Sequence, residues 1–199
     1  MPDAATRRIH LAIGFPRCYF QCGRPAGLDI IPMTLETPRL HLRRLTPEDA
    51  GPLFACFGDA GTMQFWVNGF DATADATRIR VEAMLQHWTD HGFGDWAVQE
   101  KASGEVIGIC GLHYIERMTD VNLGYAFRKA SHGKGYATEA SRAALSYGFD
   151  RLMLKRIVAV IDPRNAPSIR VAEKCGLQLW QETKWMGHPR LIYSAERTH

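Results

Sequence analysis

The sequence predicts an α/β (α+β) fold: a single domain in which a mixed, mostly antiparallel, twisted sheet of about seven strands carries helices on both faces. Three observations lead there. Asp95 to Lys101, Glu105 to Ile115 and Asp120 to Phe127 read as three strands in succession with short connections, the signature of an antiparallel meander. The chain then alternates helix and strand, and a helical crossover returning to the same sheet implies one parallel pair. Finally, 199 residues suffice for one full-sized domain and are short for two.

In chain order, Leu35 to Leu45 contains Leu40-His41-Leu42-Arg43, the in-out alternation of a half-buried strand. Thr46-Pro47-Glu48-Asp49 reads as a helix start, with proline in the first turn and acids near the positive end of the helix dipole; the first helix is predicted from about Pro47 to Phe57. Phe65 to Phe70 is a glycine-broken aromatic loop. A second helix follows, with Ile79, Ala83, Met84 and His87 expected on one face. After the meander come a helix from Lys134 to about Asp150, a strand from Arg156 to Ile161, a helix from about Ala166 to Cys175, and two last strands, Leu177 to Glu182 and Leu191 to Ala195. Residues 1–32 show no sustained periodicity and are read as an N-terminal extension, a disordered tail or the product of an upstream start codon, leaving 33–199 as the domain.

Composition excludes several classes of function. A net charge of +3, from 24 basic and 21 acidic residues, is too small and dispersed to argue for nucleic acid or anionic lipid. No apolar run approaches the ~20 residues of a membrane-spanning helix. The five cysteines, Cys18, Cys22, Cys56, Cys110 and Cys175, are odd in number and scattered, which suits a reducing cytoplasm and suggests neither a disulfide framework nor a zinc site. Cys18 and Cys22 with His10 lack a second ligand pair, so no metal is expected. Assembly is expected to be a monomer or homodimer.

The segment Ser131 to Ala140, SHGKGYATEA, carries the chemistry. A strand ends at Tyr125-Ala126-Phe127, and Gly133-Lys134-Gly135 opens a helix with small Ala137, Ala140, Ala143 and Ala144 along it. Glycines let successive N–H groups converge on an anion, the helix start adds free donors and a positive dipole end, and alanines allow close approach to the sheet. A diphosphate suits such a turn, although a G-x-G before a helix also serves as a plain strand-to-helix connection.

A second segment, Asp162 to Ser168, leaves the next strand and opens another helix that closes on Glu173-Lys174-Cys175-Gly176-Leu177. With Gly124-Tyr125-Ala126-Phe127, His132 to Ala140, Asn165-Ala166-Pro167-Ser168 and the opening Leu35 to Leu40, the chain resembles the GCN5-related N-acetyltransferase (GNAT) superfamily, in its ribosomal-protein N-terminal acetyltransferase branch, over about Leu35 to Ala195. The resemblance implies acetyl-CoA as co-substrate and a primary amine as acceptor, either a protein N-terminus or a small amine. It implies that Gly133, Lys134, Gly135, Tyr136, Ala137 and Thr138 hold the pyrophosphate through their backbone, with His132 beside them. It further implies that the strand ending at Tyr125, Ala126 and Phe127 pairs with the pantetheine arm where two parallel strands splay apart, that Asn165 meets that arm, and that Ser168 lies near the sulfur. Ala130 stands where relatives often carry Arg or Gln, a side-chain contact only.

Acetyl transfer needs an unprotonated amine, a polarised carbonyl and a donor for the leaving thiolate. Many superfamily members use a tyrosine in the helix after the asparagine; here the aligned residue is Ala172, and Ser168 is the substitute, with Asn165 and Ser168 both also suited to capping the helix. Where the related branch commonly has a glutamate before the Gly-Tyr pair, this chain has Asn122, whose amide cannot take a proton. The remaining base candidates are His113, Glu116, Asp120 and His132. Phe65, Trp66 and Trp185 are the expected walls of the acceptor site, with a core role the alternative. Cys110 and Cys175 lack a histidine partner in sequence, so direct attack without a covalent intermediate is expected. A silent acyl-CoA-binding module is the rival reading.

Overall fold

The computed structural model describes residues 34–66, 68–115, 118–185 and 187–197. Their order is β1 (Leu35–Glu36), β2 (Leu40–Arg44), a 3-10 turn (Pro47–Asp49), α1 (Ala50–Phe57), α2 (Ala60–Met63), α3 (Ala74–His91), β3 (Asp95–Glu100), β4 (Val106–His113), β5 (Val121–Phe127), a second 3-10 turn (Lys129–Ser131), α4 (Tyr136–Asp150), β6 (Arg156–Ile161), α5 (Ala166–Lys174), β7 (Gln178–Trp185) and β8 (His188–Glu196). All eight strands form one sheet in the order β1-β2-β3-β4-β5-β6-β8-β7. Every pairing is antiparallel except β5 with β6, the pair joined by the α4 crossover. The expected fold class is thus observed, with one strand more than predicted.

The extra strand arises at Thr37-Pro38. Thr37 Oγ1 accepts from Leu40 N–H at 2.9 Å, which turns the chain and separates β1 from β2. The first helix also differs. Its proline-led start forms the 3-10 turn, where Asp49 accepts from Thr46 N–H at 2.8 Å, and α-geometry begins only at Ala50. Between the first helix and the predicted aromatic loop lies a short helix not expected from the sequence, α2, capped by Asp59, which accepts from Thr62 N–H at 2.6 Å.

On α3 the predicted face is rotated. Ile79 is 60% exposed and Ala83 is exposed, while Thr77, Val81 and Trp88 are buried with Met84 and Leu85 beside them. The inward stripe includes a threonine because Thr77 Oγ1 donates to buried Asp71 at 2.9 Å, and a polar group so satisfied can occupy a core position.

The sheet has two covered faces. On one, Leu53, Cys56 and Phe57 of α1, Met63 of α2 and Val81 of α3 pack on Ala97, Ile109 and Ala126. On the other, Trp96 meets Tyr147 of α4 edge to face at 5.1 Å, and Cys110 lies against Ser141 of the same helix. Strand alternation therefore puts Asn122, Gly124 and Ala126 toward α1–α3, and Leu123, Tyr125 and Phe127 toward α4. No helix among the described residues is long and apolar enough to cross a membrane. The expectations for residues 1–32, with His10, Cys18 and Cys22, lie outside the described residues.

Candidate active site

The parallel pair is short. β5 and β6 are in register only at Val121–Ile157 and Asn122–Val158, so Leu123 to Phe127 run on without a partner on the β6 side. At the apex of this gap Asn122 Oδ1 accepts from Val160 N–H at 3.1 Å, a side chain taking the place of the lost strand partner. Asn122 therefore spans the two diverging strands, and the backbone of Tyr125, Ala126 and Phe127 lines one edge of the gap.

Beyond Phe127 the chain enters α4 through Gly133 and Gly135, whose φ angles of 75° and 82° lie in the left-handed region that side chains resist. Gly135 is the N-cap, and no side chain caps α4, whereas Thr73 caps α3 and Asn165 caps α5. The first N–H groups of α4, on Tyr136, Ala137 and Thr138, are thus available to a ligand. Arg39 adds positive charge there: it donates to Lys134 O at 2.9 Å, stacks over the Tyr136 ring at 4.6 Å, and would lie 3.5 Å from a Cβ built on Gly135. Glu139 fixes it, accepting from Arg39 Nε at 2.7 Å and from Thr37 Oγ1 at 2.7 Å. The opening Thr37-Pro38-Arg39 carried a sign of this in its family likeness, but its place beside the turn depends on a contact across a hundred residues.

The side chains of the turn have other duties. Tyr136 Oη donates to Glu100, and His132 Nε2 donates to Phe127 O at 2.7 Å, which leaves that nitrogen no lone pair for base work. Uncapped donors, two left-handed glycines and the charges of Arg39 and Lys134 together fit a diphosphate.

Across the gap, Asn165 is an N-cap that accepts from Ser168 N–H at 3.2 Å, and Ser168 is half-buried in the first turn of α5. The preceding turn is locked by Asp162, buried and bonded to Arg164 at 2.9 Å and Arg190 of β8 at 3.0 Å. Hydrogen bonds from Arg164 hold its carboxyl down to about 2, against burial. Arg164 lies 5.9 Å over the Phe65 ring, which brings the loop after α2 to this end of the sheet. Trp66 instead packs edge-on against Phe57 and joins the core cluster, as an anchor. Trp185 is half-buried opposite His188 at the end of the edge hairpin.

On the α1–α3 face, three strands assemble a chain that sequence separation conceals. Asp95 Oδ1 meets His113 Nδ1 at 3.1 Å, and His113 Nε2 meets Asn122 Nδ2 at 3.1 Å. Since Asn122 Oδ1 is taken by Val160, its NH2 faces the ring, so His113 is a neutral imidazole with its proton on Nδ1 and its lone pair at the gap. Burial opposes charge on His113, and the Asp95 carboxylate more than offsets it, raising the pKa above the usual 6.5. Gly124 makes room for this ring: a Cβ there would lie 2.6 Å from His113 Cε1. Asp120 is drawn to Arg156 at 3.8 Å, and Glu116 lies outside the described residues.

Burial pushes the Cys56 thiol up to about 12 and raises those of Cys110 and Cys175. None is poised as a thiolate nucleophile. Among the described residues no group of three or more His, Cys, Asp or Glu is arranged to hold a metal.

Comparison with known proteins agrees with this geometry. Residues 39–178 match the Acetyltransferase (GNAT) domain. YkkB of Bacillus subtilis (strain 168) is 35% identical over 162 residues, covering 80% of this chain and 93% of that protein. The uncharacterized N-acetyltransferase p20 of Bacillus licheniformis is 31% identical over 147 residues, 73% of this chain and 82% of p20. The crystal structure of a GNAT-family acetyltransferase from Bacillus anthracis superposes with a TM-score of 0.73 at 26% identity, over 82% of this chain and 98% of that one. A diverging parallel pair, an uncapped glycine turn at its mouth and a domain match over most of the chain lead to one statement: this protein belongs to the GNAT family of acetyltransferases.

Proposed function

We propose that the protein transfers the acetyl group of acetyl-CoA directly to a primary amine, through the gap between β5 and β6. One observation carries this reading: the gap has the diphosphate-suited turn of α4 on one face of the sheet and the lone pair of His113 on the other. Acetyl-CoA, when bound, supplies an acetyl group already activated as a thioester. The start of α4 with Arg39 and Lys134 would hold its diphosphate, and the unpaired edge of Leu123 to Phe127 its pantetheine arm.

His113 takes the proton of the attacking amine. Asp95 orients the ring by binding Nδ1–H and favours the cation that forms. The donor now facing Nε2 is the neutral Asn122 amide, which an amine N–H can replace. Ser168 donates toward the leaving sulfur from the first turn of α5. Among the described residues, the raised thiols of Cys56, Cys110 and Cys175 favour direct attack over an acyl-enzyme. Phe65, held beside Arg164, would form part of the acceptor wall, with Trp185 on the adjacent hairpin.

Either a protein N-terminus or a small amine is compatible with this arrangement. An α-amino group, with a pKa near ~7.7–8.0, needs less help from His113 than an alkylamine near ~10.4. Thiol release from acetyl-CoA, followed across peptides and small amines, tests the reading. Turnover with at least one amine is expected; coenzyme A binding with no turnover on a broad panel would overturn it.

A further inference from the structure

Charge collects on the sulfur of a thioester as its C–S bond breaks, and a buried hydroxyl beside it stabilises that charge. Among the described residues two buried side-chain polar atoms have no hydrogen-bond partner, Thr62 Oγ1 and Tyr125 Oη. Thr62 lies in the capped turn of α2, beside the Asp59 carboxylate. Tyr125 is placed otherwise. Its cross-strand partner is Cys110, which faces α4, and its ring lies 6.3 Å from that of Phe127, so it occupies the α4–α5 face of the strand that lines the gap. The side chain facing its hydroxyl is Ser168 of α5, yet no hydrogen bond of good geometry joins them. Ala172, one turn along α5 from Ser168, is buried and offers no donor.

A buried hydroxyl with no partner costs stability, and native chains rarely keep one without use. We propose that Tyr125 is a catalytic residue whose Oη–H, beside Ser168, donates a hydrogen bond to the sulfur of coenzyme A as it leaves. This rests on the reading that the gap takes acetyl-CoA. In the step, the amine nitrogen forms the new bond to the acetyl carbon and the C–S bond breaks with its electron pair left on sulfur. The amine proton passes to His113, and solvent returns a proton to the thiol as it departs. Tyr125 keeps its own proton throughout. Burial pushes its phenol up to about 12, which keeps it a donor across the working range of pH.

The test needs no turnover. The thiol of coenzyme A is titrated in its binary complex by thiolate difference absorbance against the cofactor-free protein, for the wild type and Tyr125→Phe. The bound thiol is expected to ionise about one pH unit lower in the wild type, about a tenfold preference for thiolate, while both proteins bind desulfo-coenzyme A equally. An identical thiol pKa in the two complexes would overturn the proposal. Thermal unfolding without ligand gives a second check: Tyr125→Phe removes an unpaired hydroxyl and should match or exceed the wild type in Tm. A clear fall would mean that the hydroxyl already has a partner, and would sink the argument for its use. If the wild type binds no coenzyme A at all, the cofactor reading fails first and this proposal with it.

Discussion

The two faces of the β5–β6 gap are built by different means. Toward α4 the site is backbone: glycines at positive φ, the uncapped start of a helix, and a strand edge with no partner. Toward α3 it is side chain: Asp95, His113 and Asn122, one from each of three adjacent strands, in a line that ends on Val160 of a fourth. The backbone face tolerates change in what its side chains are, provided φ and the free N–H groups persist. The side-chain face depends on each group and its neighbour. Altering the glycine turn of the first face should therefore weaken holding, and altering the His113 line of the second should slow proton transfer from the amine.

The largest expected effect follows from the second face. His113→Ala should lower kcat by roughly 10²–10⁴, the usual contribution of a general base, with acetyl-CoA affinity within about twofold of wild type. A comparable fall in affinity would show that the faces are not separable. Gly135→Val should do the reverse. A β-branched residue is strained at a φ of 82°, by roughly 1–3 kcal/mol, and the turn would relax away from its ligand. Coenzyme A affinity, measured by calorimetry, should fall about 10- to 100-fold; retained affinity would mean that the diphosphate sits elsewhere.

The same contrast explains how much was readable in the sequence. SHGKGYATEA states its structure locally, because glycine, helix start and small residues act within a few positions of one another. The meander and the crossover were legible for the same reason. Asp95 was passed over as the first residue of a strand, since its link to His113 exists only once β3 and β4 are in register with Asp95 opposite Gly111. Arg39 was hidden likewise, its place set by Glu139 on α4. Asn122 read as a lost glutamate; in the fold it bridges the strands where their ladder ends. The α3 stripe was misread because its inward threonine has a buried carboxylate to bond.

Asp95→Asn tests whether the carboxylate tunes the ring. Asp95 raises the His113 pKa, and the base must be neutral, so activity is lost as pH falls through that raised value. Without the carboxylate the acidic limb of kcat/KM should move to lower pH, and kcat at its plateau should fall about tenfold as the cation loses its partner. A limb that stays in place would assign the titration to another group. Stability in acid reports on the opposite end of the gap. Asp162 is held near 2 from an ordinary 3.8, so its contribution is complete above that ordinary value and is lost as pH falls toward 2. Arg190→Ala should cost roughly 2–3 kcal/mol in denaturant unfolding at neutral pH, below the cost of isolating a buried charge because Arg164 still pairs with Asp162.

The smallest effect separates capping from contact at α5. Asn165→Ala removes the bond to Ser168 N–H and should cost about 1 kcal/mol, or about 2–4 °C in Tm. Serine caps nearly as well as asparagine, so Asn165→Ser should return most of that stability. It cannot return an amide. If Asn165 also meets the pantetheine arm, Asn165→Ser will bind coenzyme A a few-fold more weakly than wild type at nearly equal Tm. If affinity recovers together with Tm, capping is its whole role, and the α5 side of the gap holds its ligand through Ser168 and the strand edge alone.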